Sequence, residues 1–107
     1  MHREIADRRA ALAKLCRQFG VTRLEVFGSA ARGDDFDQAE SDADFLVTFA
    51  PGADQDGGMG RFFEFQTALE RLLGRPVDLV EHRALVASRN YLRRRAILAE
   101  AEPVYGA

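Results

Sequence analysis

One cysteine, two histidines and no tryptophan leave this 107-residue chain few routes to metal or redox chemistry. A lone thiol cannot close an intrachain disulfide or supply a thiolate cluster, which fits a reducing compartment. Cys16 falls on the apolar side of a predicted helix and reads as core filler. His82, with only His2 for company, cannot build a zinc site. No apolar run approaches the ~20 residues that span a bilayer, so no membrane contact is expected. The opening residues MetHisArgGluIleAlaAspArgArg lack the apolar centre of a signal peptide, and the expectation is a cytoplasmic protein. Charge of one sign is also missing: 15 Lys and Arg stand against 17 Asp and Glu, which argues against direct nucleic-acid binding. No EF-hand loop with its closing glutamate is present.

What is there suits one small globular domain. The chain is 47% hydrophobic and 30% charged, and a single domain over residues 1–107 is expected to bury roughly 60–70% of its unfolded surface. Ile5, Leu12, Leu15, Cys16 and Phe19 recur at helical spacing over residues 5–19, and Gly20 ends that helix. Alternating Leu24 and Val26 predict a strand over residues 21–27, and a second follows over 44–49. Phe62, Phe65, Ala68, Leu69, Leu72 and Leu73 predict a helix stopped by Gly74 and Pro76. Val77 and Leu79 then face one way from a third strand and Asp78 the other. Residues 84–99 read as one helix with Arg93, Arg94 and Arg95 on a basic face, and the last residues as a short extended piece. The fold class is α/β (α+β), a small mixed β-sheet flanked by helices.

Two stretches carry chemistry. Gly28 and Ser29 close the first strand and open a segment through Ala30, Ala31 and Arg32 that can start a helix. Backbone N–H groups converging at such a turn suit an anion. Asp42 and Asp44, two residues apart at the head of the second strand, project from one face, where like charges repel unless a cation joins them. Oxygen-only donors of this kind suit Mg2+, which is held by one or two carboxylates and completed by substrate phosphates. An Asp-x-Asp pair or a Gly-Ser turn alone is common on solvated strand ends and turns; their combination with Arg32-Gly33 and Asp78 is more specific. Asp34, Asp35, Asp37, Glu40, Asp54 and Asp56 read as solvated loop residues, and Phe36 as a loop anchor.

Gly28-Ser29, Arg32-Gly33 and Ser41-Asp42-x-Asp44 resemble the signature of the polymerase-beta-like nucleotidyltransferases, and the short chain resembles their minimal form, the MNT antitoxin family. In that family a third acidic residue comes from a later strand, and Asp78 matches it. The resemblance implies Asp42, Asp44 and Asp78 as catalytic metal ligands, and Gly28, Ser29 and Arg32 as contacts to the nucleotide. It implies Mg2+ and ATP, and a protein adenylyltransferase that acts as an antitoxin by moving AMP to a tyrosine of a HEPN-type ribonuclease toxin. Two other readings stay open: a non-catalytic antitoxin that occludes its partner, and a stand-alone small-molecule nucleotidyltransferase.

Overall fold

Four strands form one sheet in the order β3-β2-β1-β4. They belong to a computed structural model that describes residues 3–28, 31, 42–52 and 59–106. Along the chain the elements are α1 (Arg3–Ala6), α2 (Arg9–Phe19), β1 (Val21–Phe27), β2 (Ala43–Phe49), α3 (Met59–Leu73), β3 (Val77–Glu81), α4 (His82–Val86), α5 (Tyr91–Glu100) and β4 (Glu102–Tyr105). Ser29, Arg32, Gly33, Phe36, Ser41 and the acidic residues 34–40, 54 and 56 lie outside the described residues.

The strands β1 and β2 run antiparallel, with Val26 opposite Phe45 and Phe27 opposite Asp44. A crossover through α3 brings β3 parallel to β2. The chain then traverses the sheet through α4 and α5 to reach the far edge, where β4 runs antiparallel to β1. This mixed sheet with helices around it is the expected fold class.

Each face of the sheet has its own apolar cluster. Leu24, Val26, Phe45, Val47, Val77 and Val104 pack on one side against Ile5, Leu12 and Cys16 from α1 and α2 and Phe65 and Leu69 from α3. Phe65 sits at the centre, its ring 5.5 Å from that of Phe19 and 6.1 Å from that of Phe49. On the other side Phe27 and Leu46 meet Leu85 of α4 and Ile97 of α5. Both outer edges are covered in part by side chains. Gln66 and Glu70 of α3 take the Val77 carbonyl and N–H at 2.8 and 3.1 Å. Arg9 donates to the carbonyl of Pro103, a residue tolerated on an edge strand because its missing N–H faces outward.

Two expected helices are each divided. The first breaks at Asp7 and Arg8, where the Arg8 N–H reaches back three residues to Ile5 at 3.1 Å instead of four. An ion pair of 2.8 Å between Glu4 and the buried Arg75 holds the short α1 against the start of β3. The second breaks between Val86 and Tyr91 because Asn90 caps a new helix: its side chain accepts from the Arg93 N–H at 3.1 Å. Gly20 closes α2 as expected, at φ 69°, with its N–H on the Cys16 carbonyl.

Candidate active site

The parallel pairing of β2 with β3 sets Asp44 directly beside Asp78. Both project from the face that carries Leu46 and Val80, two residues further along each strand. Asp42 lies two residues before Asp44, just ahead of the strand, and is exposed; Asp44 is half-buried and Asp78 exposed. The register therefore brings two of the three expected carboxylates side by side and places the third at the mouth of the same strand.

Gly28 stands on the other flank of Asp44. It follows Phe27, the register partner of Asp44, and its φ of 68° is one that residues with a Cβ seldom adopt. A Cβ built on it would sit 2.5 Å from Asp44 Oδ2. The positive φ is what favours glycine here, and a Cβ would in addition push the end of the Asp44 side chain aside. Its N–H, expected to face a phosphate, donates to Glu100 Oε2 at 3.1 Å. Glu100 ends α5, where a carboxylate opposes the helix dipole. Sequence reasoning missed it, and its position against that dipole is the one local signal it leaves.

Among the described residues no three His, Cys, Asp or Glu side chains already form a metal cage. Neighbouring carboxylates without a cation between them repel, and Mg2+ needs only one or two of them when phosphates complete its shell. Oxygen donors at Asp44 and Asp78, with Asp42 alongside, fit such an ion. The arginine run divides by role. Arg94 donates to the Ser88 carbonyl at 2.9 Å and lies over the Tyr91 ring, and Arg95 contacts the Tyr91 hydroxyl at 3.2 Å. Arg93 instead lines a cleft of about 430 Å³ together with Asp78. Cys16 is fully buried, and burial pushes its thiol up to about 12, so it is inert as expected.

The sequence pattern of the family described as "Nucleotidyltransferase domain" matches residues 8–102. The chain belongs to this nucleotidyltransferase domain family. Protein adenylyltransferase MntA of Thermococcus cleftensis is 40% identical over 67 residues, which cover 63% of this chain and 62% of that protein. A solved structure assigned as a minimal nucleotidyltransferase is 37% identical, with a TM-score of 0.68 over 91% of this chain and 89% of the other. The MNT antitoxin solved with a tri-AMPylated Shewanella oneidensis HEPN toxin is 20% identical, with a TM-score of 0.63 over 96% and 73% of the two chains. At that identity the likeness speaks for the fold of the nucleotidyltransferase domain. No helix among its described residues is long and apolar enough to cross a membrane.

Proposed function

We propose that this nucleotidyltransferase domain transfers AMP from ATP to a tyrosine hydroxyl of a HEPN-type toxin in the cytoplasm and so acts as an antitoxin. The observation that carries the reading is the pairing of Asp44 with Asp78 on one face, next to the Gly28 turn. The name of the Thermococcus relative, an adenylyltransferase, and the AMPylated toxin held by the Shewanella antitoxin support the donor and the partner.

Asp42, Asp44 and Asp78 would hold Mg2+, which when bound neutralises charge on the phosphates and makes the attacking hydroxyl more acidic. Asp78 accepts the proton of that hydroxyl. The oxygen forms a bond to the α-phosphorus, the bond to the β-phosphate oxygen breaks, and pyrophosphate leaves. Ser29 and Arg32 hold the outer phosphates beside the Gly28 turn. For a phosphate to take the Gly28 N–H as well, the Glu100 carboxylate must give it up.

The test is transfer of labelled AMP to the partner in the presence of Mg2+, with wild type compared against Asp42→Ala and Asp44→Ala. Transfer by the wild type alone, with loss of neutralisation in both variants, is expected. If the variants silence the partner as well as the wild type does, occlusion is the mechanism and the transferase reading fails.

A further inference from the structure

The register of β4 on β1 explains how Glu100 reaches Gly28. Glu102 pairs with Val26, and two residues on along β1 and two back from Glu102 stand Gly28 and Glu100. Asp44 flanks the same glycine from β2, where it is level with Phe27. The turn therefore lies between two carboxylates, Asp44 on the side where a Cβ would stand and Glu100 on the N–H, at 3.1 Å. An N–H that draws a carboxylate oxygen from a residue 72 positions away is a donor presented to an anion, and a phosphate oxygen asks for the same place.

Resting on the transferase reading, we propose that Glu100 is an internal competitor for the outer phosphates of the nucleotide: before the donor binds, its carboxylate takes the place of a phosphate oxygen at Gly28, and the donor must displace it. Two features make Glu100 a competitor rather than a fixed brace. It ends α5, where the helix dipole disfavours a carboxylate, so its contact with Gly28 is held against an opposing field. It is also exposed, on a helix whose one buried side chain is Ile97, so the carboxylate can swing into water with little packing lost.

The consequence is selection by the phosphate chain. ATP and pyrophosphate carry the outer phosphates for which the Gly28 N–H is a partner, and their several charge-assisted contacts replace that of one carboxylate. AMP has its single phosphate at the reacting centre and does not reach the contested N–H. The competition lowers affinity for the donor and for the leaving pyrophosphate alike, and Glu100 returns to Gly28 as that product departs.

The experiment measures, by calorimetry in the presence of Mg2+, the dissociation constants of ATP, pyrophosphate and AMP for the full chain and for Glu100→Gln and Glu100→Ala. Both substitutions are at an exposed position. Expected are constants for ATP and pyrophosphate lower by about fivefold or more in both variants, the scale of one hydrogen bond to a charged group weakened by its exposure to water. The constant for AMP is expected to stay within about twofold of wild type. Unchanged or raised constants for ATP in both variants overturn the competitor. A rise in Glu100→Ala alone overturns it too, because Glu100 would then brace the turn. An equal gain for AMP also overturns it, since the effect would be that of a charge removed and not of a contested N–H. Transfer of labelled AMP to the partner by the wild type is followed alongside: transfer with unchanged constants leaves the transferase reading standing without the competitor, and a wild type that binds no ATP removes both.

Discussion

The two faces of the sheet are unequal, and the inequality separates stability from chemistry. One face is packed from edge to edge by α1, α2 and α3, around fully buried Phe45, Phe65, Leu12 and Leu69. The opposite face has a small cluster under α4 and α5, Phe27, Leu46, Leu85 and Ile97, in which Phe27 is level with Asp44 and Leu46 lies two residues beyond it. A domain this small can set carboxylates at one end of a face only because the other face carries most of the buried apolar surface.

That division can be broken from either side. Phe65→Ala, at the centre of the packed face, is expected to cost about 3–5 kcal/mol of stability, read as a lowered urea midpoint. Asp44→Asn on the open face is expected to lower AMP transfer by about a hundredfold to a thousandfold while the melting temperature stays near that of the wild type. Glu4→Gln, which strips a carboxylate from buried Arg75, should cost about 2 kcal/mol without changing the affinity for ATP. The smallest effect concerns Cys16. Burial raises its thiol from an ordinary value of 9.0 to about 12. The unfolded thiol ionises first, so its contribution to stability is full below pH 9.0 and is lost as pH rises toward 12, the loss amounting to about 1 kcal/mol near pH 10. Denaturation of the wild type and Cys16→Val across that range would display the difference.

Local periodicity revealed the elements of the packed face well. The apolar spacing of α3 is a consequence of burial on one side and appears in the chain as a pattern of 3.6, whereas β1, buried on both faces from Leu24 to Phe27, shows its pattern of two in Leu24 and Val26 alone. The open face was legible only in part. Asp42 and Asp44 stand in one motif, but whether Asp78 arrives beside them depends on the register of a parallel crossover, which no short stretch encodes. The resemblance to the MNT family pointed to Asp78; the pairing gives it a place. Glu100 lay out of reach, since its contact with Gly28 joins residues 72 apart. The helix breaks at Asp7 and at Asn90 were hidden by apolar residues that keep helical spacing across them, although Asn90, a good capping residue, was a signal within the sequence.

Titration of the protein with ATP, by calorimetry, in the presence and absence of Mg2+ and for the wild type and Asp44→Asn, tests the central claim most directly. Binding that requires Mg2+ in the wild type and disappears in Asp44→Asn is the predicted result. Equal ATP binding without a divalent cation, or undiminished Mg2+-dependent binding in Asp44→Asn, would contradict a nucleotide site built on the paired carboxylates.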